Sequence, residues 1–131
     1  MDVHISMVGE TGRGYTNMMK LLLYSLRENG GRLRDAPVTV STNARAMSEA
    51  DQEEIEQFAP VTVRVMPRQH GEHFADKFNA LYAPPEDVDV LMYLDCDTVV
   101  LNPLDDMVAG IDPETPHFRA RKMGAPGARC A

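Results

Sequence analysis

Val90-Leu91-Met92-Tyr93-Leu94-Asp95-Cys96-Asp97-Thr98-Val99-Val100-Leu101-Asn102-Pro103-Leu104 is the stretch on which the reading of this 131-residue chain turns. Residues 88–94 (VDVLMYL) are the most apolar strand candidate, nearly continuous from Val90. Such a run predicts a central strand covered on both faces. Two carboxylates follow at once. In an extended segment residues i and i+2 project to the same side, so Asp95 and Asp97 can converge on one hard divalent cation. Mg²⁺ and Mn²⁺ favour oxygen ligands and take one or two carboxylates, with phosphate oxygens and water in the other positions. A departing diphosphate carries negative charge that such an ion neutralises. The plainer alternative is a turn, because Asp is common at strand ends.

Upstream, strand and helix patterns alternate. Residues 3–8 (VHISMV) are β-rich and run into the loop Gly9-Glu10-Thr11-Gly12-Arg13-Gly14. Tyr15, Met18, Met19, Leu22 and Leu26 then recur at helical spacing, and Gly30-Gly31 supplies a stop. Pro37 introduces a short strand over 38–41. Ser48 is a candidate N-cap for a helix through Phe58, with Glu49 and Asp51 in the first turn, where the helix dipole favours acids. Val61, Val63 and Val65 alternate with Thr62 and Arg64, the period of a half-exposed strand. Phe74, Phe78, Leu81 and Tyr82 predict an amphipathic helix that Pro84-Pro85 must stop, and a short helix is expected over 104–108.

The order β-α-β-α-β-α-β, without hairpin signals or internal repeats, predicts a Rossmann-like, three-layer α/β/α domain with a mainly parallel sheet. Its expected extent is 1–112. Residues 113–131, with Pro113, Pro116, Gly124, Pro126 and Gly127, read as an irregular tail. In open sheets of this kind ligands bind beyond the carboxyl ends of the strands. The glycine-rich loop and the aspartate pair both fall on that rim by topology alone.

Composition narrows the function classes. Apolar residues make up 44% and charged residues 25%, ordinary for a globular domain and unlike a disordered or fibrous chain. The formal charge of −7 argues against a nucleic-acid backbone as partner; Arg119, Arg121, Lys122 and Arg129 form the one basic cluster, in the tail. Cys96 and Cys130 do not make a disulfide framework, and Cys96 in its apolar surroundings reads as a small hydrophobe. Asp2 and His4 interrupt any secretory leader, and no run approaches the ~20 apolar residues of a membrane span. A soluble, cytoplasmic protein is expected, with self-association left open.

The segment Lys77-Phe78-Asn79-Ala80-Leu81, a spacer, and then residues 90–104 resembles the GT-A glycosyltransferases related to glycogenin and the bacterial lipopolysaccharide galactosyltransferases. Their pattern is a basic residue on a helix, an apolar strand ending in Tyr-Leu-Asp-x-Asp, and a Val-Leu-x-Pro continuation. The match covers residues 74–107, with a looser echo over 3–26. It implies a nucleoside-diphosphate sugar donor, commonly a UDP-sugar, with Mn²⁺ or Mg²⁺. Carried over by position, Asp97 is a direct metal ligand, and Asp95 binds metal or hydrogen-bonds the ribose. Lys77 lies near the sugar or diphosphate, Tyr15 stacks on the base, and Val8, Gly9 and Cys96 line the nucleotide. Each has a plainer reading: Lys77 as a surface lysine, Tyr15 as core packing, the glycine loop as a loop.

The departures bear on activity. The family's second half holds the acceptor site and a further histidine ligand. Little chain follows Asp97 here, and no motif places His117 on the metal, so the expectation is an enzyme, the donor-binding half of a glycosyltransferase that passes the glycosyl group to an unidentified acceptor, incomplete for transfer by itself. The loop after the first strand lacks the family's Asn-Asp pair and is not a G-x-G-x-x-G fingerprint. His70 and His73 fall short of a zinc site, having no partner ligands nearby. Asp95-Cys96-Asp97-Thr98-Val99-Val100 also satisfies the haloacid-dehalogenase phosphatase pattern, with Asp95 as nucleophile. Position argues against that reading, because the phosphatase motif follows the first strand. A non-catalytic nucleotide-binding remnant is the third reading.

Overall fold

The computed structural model describes residues 1–68, 73–81, 84–85, 87–116 and 118–119. His70, Tyr82, His117, Cys130 and all of the basic cluster but Arg119 lie outside them, as does the tail from residue 120. Four strands form one parallel sheet: β1 (Val3–Gly9), β2 (Val38–Asn43), β3 (Val61–Met66) and β4 (Val90–Tyr93), in the spatial order β3-β2-β1-β4. Helices α1 (Arg13–Asn29) and α2 (Glu49–Glu56) make the first two crossovers, a 3-10 helix (His73–Leu81) makes the third, and α3 (Asp105–Val108) follows β4. The expected α/β class and parallel sheet are what the chain forms.

The strands carry their own instructions. Along β1, Val3, Ile5 and Met7 alternate with His4 and Ser6, and β2 alternates Val38 and Val40 with Thr39 and Ser41. The apolar set enters the core with Met19, Leu22, Leu23 and Leu26 of α1 and Ile55 of α2. Each such side chain contributes about 1.5–3 kcal/mol on full burial. The polar set is buried as well, on the opposite face, beneath the 3-10 helix. His4 Nε2 meets Thr39 Oγ1 at 2.8 Å, Arg64 Nε donates to Ser41 Oγ at 2.7 Å, and Ser6 Oγ donates to the Ala80 carbonyl at 2.8 Å. Buried polar groups are tolerated because they find partners, so this second layer is specified by hydrogen bonds.

Local signals placed most boundaries. Gly30 ends α1, and Gly31 follows at φ 64°, the left-handed region that suits glycine. Ser48 caps α2 by accepting from the Asp51 amide at 3.2 Å. That helix stops at Glu56, short of Phe58, which packs against the core from the following turn.

Two expectations are corrected. The 90–94 run is not central: β4 pairs with β1 alone and is the outermost strand among the described residues, with Val90, Leu91 and Tyr93 only half-buried. The strands flanked on both sides and buried at every residue are β1 and β2. A long apolar run reports covered faces, not a central position in strand order. The amphipathic helix over 74–82 is instead a 3-10 helix with Phe78 58% and Leu81 51% exposed, while Asp76 and Asn79 are buried. The polar face of the sheet selects polar partners, and tertiary context overrides the apolar period. Among the described residues no helix is long and apolar enough to cross a membrane.

Candidate functional site

The sheet order makes the site. The chain builds outward from β1 through β2 to β3, then crosses back to place β4 on the other side of β1. The loops leaving β1 and β4 therefore diverge, and a crevice opens between them at the carboxyl ends of the strands. The pairing Ser6↔Tyr93 sets the level: two residues on, Asp95 comes abreast of Val8. A cavity of about 300 Å³ lies there, lined by Val8, Gly9, Glu10, Tyr15, Met18, Asn43, Lys77, Tyr93, Asp95, Cys96 and Asp97. All seven residues singled out from the sequence (Val8, Gly9, Tyr15, Lys77, Asp95, Cys96 and Asp97) stand on this one wall.

Asp95 is held on both oxygens. The Tyr93 hydroxyl donates to Oδ1 at 2.6 Å, and the Lys77 ammonium lies 2.9 Å from Oδ1 and 3.2 Å from Oδ2. Residues 93 and 95 share a side because they are two apart in an extended segment. Burial works to raise the Asp95 carboxyl, but the Tyr93 hydrogen bond and the Lys77 charge outweigh it, and its pKa falls below the ordinary value. Burial first, then the bond to Asp95, pushes the Tyr93 hydroxyl far above its usual range, so it stays a neutral donor. No basic residue adjoins the aspartate pair in sequence; the third crossover brings Lys77 to it from 18 positions upstream.

Asp97 is exposed and, among the described residues, makes no hydrogen bond or ion pair through its side chain. It faces solvent from the turn that the Thr98 amide closes on the Asp95 carbonyl at 3.0 Å. Cys96 between them is a free thiol, raised in pKa by burial and then by Asp97 and Asp95. That environment disfavours the thiolate and fits the inert small hydrophobe the sequence implied.

Across the crevice, Glu10 and Asn43 form a fixed polar edge. Asn43 Nδ2 donates to Glu10 Oε1 at 3.2 Å, while its Oδ1 accepts from Asn79 Nδ2 at 2.9 Å. Arg68 Nη2 donates to Glu10 at 2.7 Å, and its Nε donates to the buried Asp76 at 3.0 Å. Tyr15 serves two ends: it lines the cavity and also packs against the core. A Cβ on Gly9 would lie 2.6 Å from the Met19 sulfur, so a larger residue there requires the buried Met19 side chain to shift. Arg13 of the glycine-rich loop turns away from the cavity to Asp51 and Glu54 of α2.

Glu10, Met18, Asn43 and Tyr93 are lining residues that sequence reasoning passed over. Tyr93 was legible from its i, i+2 relation to Asp95. Asn43 was legible as the carboxyl end of β2, on the same rim as the other strand ends. Glu10 belongs to the glycine-rich loop placed on that rim, and nothing local marked Met18. Among the described residues no group of three or more His, Cys, Asp or Glu could hold a metal ion. The acidic pair alone thus offers two carboxylates, which fits a hard cation whose remaining positions are filled by phosphate oxygens and water and does not fit a closed structural site.

No protein-family model matches the chain, and no curated protein matches it. Its fold does match solved structures of S. aureus TarS, a glycosyltransferase. One superposes with a TM-score of 0.58 at 16% identity, and a second, of TarS 1-349, with 0.54 at 16%. Each match covers 83% of this chain, but the chain spans only 19% of the first and 32% of the second. At such identity the likeness is one of fold alone.

Proposed function

We propose that this chain is the donor-binding part of a metal-dependent glycosyltransferase, taking a nucleoside-diphosphate sugar, in the first instance a UDP-sugar, with Mn²⁺ or Mg²⁺. The observation that carries the reading is the gathering of Asp95, Asp97, Lys77 and Tyr15 around one cavity at the switch point of a parallel sheet. The fold shared with a glycosyltransferase supports it. In this reading Asp97, projecting freely into solvent, is the first carboxylate to meet the cation, and Asp95 is the second. The cation supplies neutralisation of the departing diphosphate. Lys77 offers a further positive charge to the phosphates. Tyr15 presents an aromatic face to the base, and the backbone of Val8, Gly9 and Cys96 lines the nucleotide. The Glu10–Asn43 edge adds oriented polar groups opposite the acidic pair.

Calorimetry with UDP tests it. UDP should bind more tightly with Mn²⁺ than with EDTA, and Asp97→Asn should remove most of that gain. Equal affinity under the two conditions would sink the proposal. Transfer to an acceptor needs residues beyond this cavity, so at most slow hydrolysis of a UDP-sugar is expected.

A further inference from the structure

Lys77 and a divalent cation claim the same carboxylate. The ammonium spans both Asp95 oxygens, at 2.9 and 3.2 Å, and Tyr93 takes a third approach to Oδ1 at 2.6 Å. Mg²⁺ binds oxygen at about 2.0–2.1 Å. A cation coordinated by Asp95 would therefore meet an ammonium already lying against both of its oxygens. Two positive centres that close repel, and repulsion between exposed groups at this range is not screened away.

We infer that Lys77 is a displaceable counter-ion of Asp95, which a divalent cation must evict and which a diphosphate takes over, so that cation binding depends on nucleotide. The inference rests on the donor-site reading and adds its regulation. Three features support it. The pair is accessible, with the Lys77 and Asp95 side chains 49% and 44% exposed, and ion pairs this exposed are weak enough to exchange partners. The lysine stem is flexible and its ammonium can follow an anion. The 3-10 helix does not need the pair for its seat, because Asp76 and Asn79 anchor it on the buried side through Arg68 and Asn43. With Lys77 in place, the two aspartates and the ammonium sum to a single negative charge, a poor match for a bare divalent ion. A diphosphate adds anionic oxygens that can satisfy the lysine and the cation together.

The test uses the whole chain and the electron paramagnetic resonance signal of free Mn²⁺. Without nucleotide, Lys77→Met and, as a second neutral variant, Lys77→Gln should bind Mn²⁺ about fivefold or more tightly than the unaltered protein, within the range of ordinary coupling effects. Lys77→Arg, which keeps the charge, should show no such gain. The enhancement of Mn²⁺ affinity by UDP should shrink in both neutral variants. Neutral variants that fold, by an unchanged circular dichroism spectrum, and bind nucleotide-free Mn²⁺ no more tightly would overturn the inference. A crystal structure with Mn²⁺ and UDP in which Lys77 keeps its 2.9 Å contact while Asp95 ligates the ion would overturn it as well. If UDP and Mn²⁺ fail to enhance each other in the unaltered protein, the donor-site reading fails, while the nucleotide-free measurements still decide whether lysine and cation compete.

Discussion

Replacing Tyr93 by Phe removes one oxygen from the crevice and nothing else of comparable size. The hydroxyl donates to Asp95 Oδ1 at 2.6 Å and, because burial and that bond keep it protonated, it acts as a permanent donor. Hydrogen bonds to charged groups contribute about 1.5–3 kcal/mol. Asp95 is 44% exposed, so water replaces much of what is lost, and a net cost of about 1 kcal/mol is expected. Since about 1.4 kcal/mol is a factor of ten, UDP with Mn²⁺ should bind roughly three- to tenfold more weakly in Tyr93→Phe. The same substitution should raise the Asp95 pKa, because the Tyr93 bond is one of the influences lowering it. Calorimetry reads the affinity, and carboxyl carbon NMR reads the titration without any ligand. An Asp95 titration that does not move, or moves down, would refute the description of Asp95 as held by Tyr93. A titration that moves as expected with donor affinity unchanged within twofold would refute its place in donor binding.

Gly31→Ala should lose about 2–4 kcal/mol in urea denaturation, since φ is 64° and a Cβ would fall 1.9 Å from Asp105 Oδ2 and 2.9 Å from Pro103 Cβ; a loss below about 0.5 kcal/mol would contradict this packing of α3. His4 has its pKa lowered from 6.5, chiefly by burial and then by Arg64. The unfolded chain therefore holds more protons just below pH 6.5, so stability is present above that value and is lost as pH falls through it towards the folded pKa. His4→Gln should flatten that part of the stability profile, and an unchanged slope between pH 5 and 7 would count against a buried neutral imidazole. The protein should neither hydrolyse p-nitrophenyl phosphate nor form a beryllium fluoride adduct on Asp95; robust hydrolysis that vanishes in Asp95→Asn would favour the phosphatase reading instead.

Misreadings cluster where one face of an element meets an unusual partner. The third crossover was read from Phe74, Phe78, Leu81 and Tyr82 as an apolar stripe. It buries Asp76 and Asn79 because the sheet face it meets carries His4, Ser6, Thr39 and Ser41. The alternation that makes this face polar is present in β1 and β2, so the error lay in treating the helix without its partner. The cavity wall is a mixed case. The carboxyl-end rule marked the glycine-rich loop and the Asp95–Asp97 pair, and the family resemblance added Val8, Tyr15, Lys77 and Cys96, whereas Met18 enters only through the placement of α1 against β1.

By itself the sequence determined the order of elements, the parallel sheet and the rim on which the acidic pair stands. Those follow from periodicity, turn residues and the handedness of crossovers, all of which act over a few residues or a single connection. Tertiary structure alone decided that β4 lies outermost beside β1, which opens the crevice. It also decided that Lys77, 18 positions earlier in the chain, reaches both oxygens of Asp95. Strand order and an ion pair of that separation depend on how finished elements pack against one another, and no local pattern of residue types encodes either.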